Sequence, residues 1–282
     1  MAKLDRLGWT AGVAFKSFGV RFGVRTDDPS MLERLSDFLP PGTTQAKPGF
    51  VERLYSLRIG GSGSIHAGSV EGRRGLRRFQ LLYGDHVRLA RTFDPAELFE
   101  RFESDLQLTI ASAARGRVFV HAGVVGWKGR AVLVPGRSFS GKTTLVAELV
   151  KAGADYYSDE FAVLDREGRV HPFAKPLSMR ERGEVKQRKV CVEEFGGRGA
   201  TKPLPVGLVV VSEYKDGVRV WRPRELSMGR GSLALLEHTV PARTRPAEVL
   251  ETLEMVVRTA KVLRGARGEA DEAARSILKR AS

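Results

Sequence analysis

The chain predicts a mixed α/β fold in two parts, an N-terminal module of residues 1–115 and a second domain of residues 116–282. Three observations carry that expectation. Strict apolar alternation, as in FGVRFGVR at 18–25, marks a strand with one buried face. Apolar residues three and four apart, at Leu98, Phe99, Phe102, Leu106 and Ile110, mark an amphipathic helix. From Arg117 onward strand, loop, helix and strand follow in the order of a βαβ unit.

In the first module the strand at Phe18–Arg25 is followed by Asp27, Asp28 and Pro29, a cap and first-turn proline for a helix over SMLERLSDFL that Pro40 and Pro41 end. Two more strands are expected around Phe50–Ile59 and Leu76–Tyr83, separated by the loop GGSGS. Gly84-Asp85 turns the chain into HVRLARTF, and Asp94-Pro95 starts the long amphipathic helix, whose stripe reads as core. In the second domain RVFVHAGVV is a buried strand, WKGR a tight turn and AVLVP a second strand. Thr143–Lys151 is a helix stopped at Gly153, and ADYYSDEFAVLD reads as one further strand. Later strands are expected at Val206–Tyr214 and Val218–Trp221, then a helix from Pro246 to Leu263 and a polar helix from Glu269 to Arg280.

With 42% hydrophobic and 28% charged residues among 282, the composition is that of a globular protein. No purely apolar run is longer than Leu208–Val211, far short of the roughly 20 residues of a membrane helix, which predicts a soluble protein without a membrane partner. The first residues, MAKLDRLGWTAG, lack the charged and apolar regions of a secretory signal, so a cytoplasmic location is expected. Cys191 is the single cysteine, which excludes an intramolecular disulfide and reads as a buried structural thiol. The formal charge of +14 attracts anions of several kinds without choosing among them. Basic residues are spread along the chain and no nucleic-acid-binding signature is present, so nucleic acid is not the favoured partner.

The chemistry concentrates at 136–143, where GRSFSGKT satisfies G-x-x-x-x-G-K-[ST] between an apolar strand and a helix. That context suits a phosphate loop, because the N–H groups of the loop and first helical turn are a ready anion site. Gly136, Arg137, Ser138, Phe139, Ser140, Gly141, Lys142, Thr143 and Thr144 are therefore read as nucleotide-binding, with ATP as the nucleotide. In this reading Lys142 reaches the outer phosphates and the Thr143 hydroxyl binds Mg²⁺. A metal-bound triphosphate also needs a carboxylate at a neighbouring strand end; Asp159, followed by Glu160, stands sixteen residues past Thr143. His121 lies on the strand that hairpins into the loop's strand, where an imidazole can hydrogen-bond a catalytic carboxylate.

Together HAGVV, AVLVPGRSFSGKTTL and YYSDEFAVL resemble the core of the HPr kinase/phosphorylase family and its serine-kinase relatives, over residues 117–180 and extending to about 240. The resemblance implies a mostly β P-loop kinase core similar to that of phosphoenolpyruvate carboxykinases. It also implies ATP- and Mg²⁺-dependent phosphorylation of a hydroxyl, with a serine of a protein or peptide as acceptor. By this likeness Gly136, Ser138, Gly141, Lys142 and Thr143 match the ATP loop, Asp159 and Glu160 the acidic pair that binds magnesium and acts as base, and His121 the histidine that supports it. Glu160 stands where aspartate is usual, which leaves both carboxylates as candidate bases. Phe139 stands where a small residue is common, and PLSMRERGEV replaces the downstream R-G-L-G signature, so HPr itself and phosphorylase activity are not carried over. Arg180, Arg182, Arg243 and Arg245 are candidates to steady the transferred group. The first module is read as an acceptor-binding or assembly element, which leaves a homo-oligomer open. Two other readings of the same loop are a small-molecule kinase and an ATPase or nucleotide-binding regulator whose basic surface meets DNA or an acidic partner.

Overall fold

The computed structural model describes residues 2–59, 79–137, 140–180 and 187–281, a mixed α/β chain in two compact units, Met1–Arg115 and Gly116–Ser282. Among the described residues no helix is long and apolar enough to cross a membrane.

In the first unit a short helix α1 (Ala2–Asp5) precedes a hairpin of β1 (Ala11–Ser17) and β2 (Val20–Thr26). The strand expected from Phe18 onward is thus only the second arm. Phe18 and Gly19 form the turn, with φ of 47° and 84°, values that suit the twist of a two-residue hairpin turn. The helix expected after Pro29 is α2 (Ser30–Glu33), continued by a 3-10 turn over Arg34–Phe38. Then come β3 (Thr44–Ala46), β4 (Arg53–Arg58), β5 (Gln80–Gly84) and β6 (Val87–Thr92), giving the sheet order β3-β1-β2-β4-β5-β6. The expected GGSGS loop lies outside the described residues. Helix α3 (Pro95–Ala113) is capped by Asp94, whose side chain accepts from Ala96 N at 2.9 Å. Its stripe of Leu98, Phe99, Phe102, Leu106 and Ile110 is fully buried, and the Tyr55 hydroxyl donates to Asp105 at 2.7 Å, tying helix to sheet.

In the second unit β7 (Val118–Trp127) turns at Lys128-Gly129 into β8 (Arg130–Pro135), and α4 (Lys142–Lys151) follows the glycine-rich loop. The single strand expected over ADYYSDEFAVLD is two, β9 (Asp155–Ser158) and β10 (Phe161–Leu164), both antiparallel to β7. The break falls on Asp159-Glu160, because the Ser158 hydroxyl accepts from the N–H groups of Glu160 (3.1 Å) and Phe161 (2.9 Å) and so bends the chain. Next come β11 (Arg169–His171), the hairpin of β12 (Leu177–Arg180) and β13 (Gln187–Val190), and β14 (Leu204–Tyr214). They are followed by β15 (Arg224–Glu225), α5 (Met228–Leu236), α6 (Pro246–Thr259), β16 (Lys261–Arg267) and α7 (Ala270–Arg280).

The main sheet runs β11-β10-β7-β8-β14-β16-β15, and β11 also pairs β14, so five of its strands close into a ring. Strands β8, β14 and β16 are mutually parallel, which brings Pro135, Tyr214 and Arg267 to one edge. Alternate residues face opposite ways: Val132, Val134, Leu208 and Val210 pack under α4 and α7, whereas Leu133 and Val209 pack under α5 and α6. On β7, a Cβ at Gly123 would meet Val146 Cγ2 of α4 at 2.5 Å. Only glycine lets the helix that begins at Lys142 lie this close.

Four further expectations are corrected. Val218–Trp221 joins no strand ladder; Trp221 instead buries its ring in the core beside α7. Lys261–Leu263 opens β16 rather than closing a helix, because a parallel partner in β14 satisfies its backbone. The C-terminal helix is not merely polar, since Ala270, Ala273, Ala274, Ile277 and Leu278 are buried against the sheet and α4. Cys191 is exposed, not buried: it caps a 3-10 turn over Val192–Phe195, with its N–H donating to Glu194 Oε1 at 2.9 Å.

Candidate functional site

The loop from β8 to α4 opens on a cleft of about 740 Å³ at the carboxyl ends of the three parallel strands, where open α/β sheets bind ligands. Its walls include Gly136 and Gly141 of the loop, Tyr214 at the end of β14, His238 after α5, and Arg267 at the end of β16. Ser138 and Phe139 lie outside the described residues. Gly141 has φ +78° and is the N-cap of α4, a left-handed backbone that favours glycine. From the next position Lys142 folds back over the loop, and its Nζ donates to the carbonyls of Gly136 (2.9 Å) and Arg137 (2.8 Å). The ammonium is buried, which pushes its pKa down, while Glu160 and Asp159 oppose that shift. Both carboxylates therefore lie within electrostatic reach of Lys142.

Asp159 is turned inward by the bend after β9 and is only 8% exposed. Its Oδ2 accepts from the Thr143 hydroxyl at 3.1 Å and its Oδ1 from the Tyr156 hydroxyl at 3.0 Å. Tyr156 also lies 2.8 Å from the Lys175 carbonyl, which holds the ring in place. Burial raises the Asp159 pKa above the usual carboxylate range, and the hydrogen bonds from Tyr156, Thr143 and the Ser178 backbone limit the rise. The side-by-side hydroxyl and carboxylate are hard oxygen donors of the kind that suits Mg²⁺. Glu160 points differently: its side chain is 48% exposed and its Oε1 lies 3.7 Å from His121 Nε2, contact range rather than a hydrogen bond.

His121 is the hub of the backbone connections. Its carbonyl accepts from Gly136 N (3.3 Å), its N–H donates to the His238 carbonyl (2.7 Å), and its neighbour Ala122 donates to the Glu160 carbonyl (3.1 Å). Burial, then the nearby Lys142 and His238, pull its pKa from 6.5 to about 4, so the imidazole is neutral at pH 7. The unfolded chain protonates His121 first, so the stability it contributes is complete above about pH 6.5 and is lost as the pH falls towards about 4. Denaturant melts at about pH 7 and pH 5 are expected to show wild type losing about 1 kcal/mol per pH unit more than His121→Gln, which cannot take up the proton. Parallel profiles for the two proteins would refute this placement of His121.

The structure therefore brings Gly136, Arg137, Ser140, Gly141, Lys142, Thr143, Thr144, Asp159, Glu160 and His121 to one end of the sheet. Arg245 donates to Glu248 (2.9 Å) and the Arg117 carbonyl (3.3 Å), and Arg243 is exposed after α5. Arg180 ends β12, and Arg182 lies outside the described residues. Among the described residues an arginine outside this set meets the loop: Arg267, whose Nη2 donates to the carbonyls of Ser140 (3.4 Å) and Gly141 (3.1 Å). Sequence reasoning missed it, along with His238 and Tyr156. Only Tyr156 left a local trace, three residues before Asp159 in the same YYSDE run. Comparison with protein-family models gives no match to this chain, and a search of curated proteins gives none either.

Proposed function

We propose that this protein is an ATP- and Mg²⁺-dependent kinase that phosphorylates a hydroxyl, with a serine of a protein or peptide as its acceptor class. The supporting observation is the meeting of three separate elements at the head of α4: Lys142 and Thr143 of its first turn, Asp159 and Glu160 of the bend between β9 and β10, and His121 of β7. The acceptor class comes from the resemblance of these three motifs to HPr kinase-like serine kinases.

The first-turn N–H groups of α4 have no intrahelical acceptors and favour an anion. Lys142, whose hydrogens now go to the Gly136 and Arg137 carbonyls, is placed to redirect them to phosphate oxygens. Thr143 and Asp159 would hold Mg²⁺, which when bound neutralises phosphate charge. Asp159 is buried against Thr143 and Tyr156, whereas Glu160 is half-exposed, on the side from which an acceptor can approach. Glu160 is thus the base in this reading: it takes the hydroxyl proton as the acceptor oxygen bonds to the γ-phosphorus and the bond to the β-phosphate oxygen breaks, releasing ADP. Neutral His121 is within a small movement of a hydrogen bond to Glu160 Oε1 and orients it.

The test is to incubate the full chain with γ-labelled ATP, Mg²⁺ and fractionated lysate. Label is expected on a protein or peptide as phosphoserine. Label recovered only as inorganic phosphate would overturn the kinase reading in favour of an ATPase.

A further inference from the structure

We infer that Arg267 is a positioning residue that orients the loop for phosphate binding, an inference that rests on the nucleotide-binding reading above. Arg267 is only 3% exposed yet lines the same cleft as the loop. Among the described residues it makes no hydrogen bond to a carboxylate: Nη1 donates to the Gly268 carbonyl at 3.1 Å, Nη2 to those of Ser140 and Gly141, and Nε is buried with no hydrogen-bond partner there. Its surroundings are the Tyr214 ring, centred 5.8 Å away, and the exposed Glu269, which accepts from the Tyr214 hydroxyl at 3.1 Å. A buried cation is costly unless an anion compensates it.

In a trans peptide the C=O and the following N–H point opposite ways. Drawing the carbonyls of Ser140 and Gly141 towards Arg267 therefore turns the N–H groups of Gly141 and Lys142 away from it. These are the N–H groups at the head of α4, where an anion is favoured. Lys142 performs the matching task on the other half of the loop by holding the Gly136 and Arg137 carbonyls. The two cations thus fix four carbonyls of the loop, but they differ in freedom. Lys142 can release its carbonyls to take a ligand, whereas Arg267, planar and anchored also to Gly268, stays with the protein. Gly141 is part of the same device, because a Cβ there would lie 2.7 Å from Arg267 Nη2.

The test uses the full chain, titrated with Mg²⁺–ADP and with Mg²⁺–pyrophosphate by calorimetry, alongside ¹⁵N amide spectra. Arg267→Met is expected to weaken both ligands by about tenfold and to lose the shifts of the Gly141 and Lys142 amide signals on pyrophosphate binding. Arg267→Lys, which keeps the charge but not the planar fork, is expected to recover only part of the affinity. If Arg267→Met does not fold, Arg267→Lys carries the test through its amide shifts. Should wild type bind both ligands and Lys142→Ala lose them while the Arg267 variants bind and shift as wild type, this inference falls and the nucleotide site stands. Should wild type bind neither ligand, the nucleotide site itself falls.

Discussion

Lys142→Ala is expected to lower phosphoryl transfer by on the order of 10³-fold or more, since it removes a charged side chain that spans the loop and can neutralise the outer phosphates. The loss has two sources. The charge goes, and the carbonyls of Gly136 and Arg137 lose the donor that shapes the unliganded loop. Lys142→Met separates them from a simple packing defect, because it keeps the buried aliphatic stem and removes only the ammonium. Both variants are expected to fail alike in the labelled-ATP assay. A Lys142→Met protein that transfers phosphate at the wild-type rate would show that the loop's lysine has no part in transfer.

Asp159→Asn is expected to slow transfer by roughly 10²-fold to 10³-fold and at the same time to raise the melting temperature. The two effects share one cause. Burial holds the Asp159 pKa above its ordinary value, because ionising this carboxylate in the folded state carries a desolvation cost. With a raised folded pKa, stability is fully present at low pH and declines as the pH rises through the carboxylate range. Asparagine is neutral at every pH and escapes the cost, while still offering an oxygen to Thr143 or Tyr156. What it gives up is the negative charge that would hold Mg²⁺. The variant is therefore expected to need more Mg²⁺ for half-maximal rate, a shift read directly from a Mg²⁺ titration. A slower variant that melts lower than wild type and keeps the wild-type Mg²⁺ requirement would mean that Asp159 supports the fold rather than the metal.

These residues were legible because their signals are local. The loop, its strand and its helix lie within AVLVPGRSFSGKTTL, and the hairpin through WKGR places His121 beside them without any distant partner. The acidic pair was also legible, although its geometry was not. Read as part of one continuous strand, Asp159 and Glu160 would point to opposite faces as equivalent neighbours. The Ser158 hydroxyl breaks the ladder there, so one carboxylate is buried against Thr143 and the other stays half-exposed near His121. That difference separates the two roles in the proposed chemistry.

Arg267 and β16 illustrate the opposite case. EMVVRTAKVL continues a helical pattern, and nothing near Lys261 says that a strand begins there. The deciding partner is β14, whose Leu208 pairs with Lys261 and whose Tyr214 pairs with Arg267. The exposure of Cys191 and the packing of α7 on α4 belong to the same class.

By itself, then, the sequence determined the α/β alternation, the long helix of the first unit, and the glycine-rich loop with the lysine, threonine, acids and histidine around it. Each rests on backbone preference or side-chain periodicity over fewer than about twenty residues. Only the tertiary structure decided which carboxylate is buried, which arginine meets the loop, and which strands form the cleft, because each depends on hydrogen-bond partners supplied by distant segments and on the charge and burial those partners create.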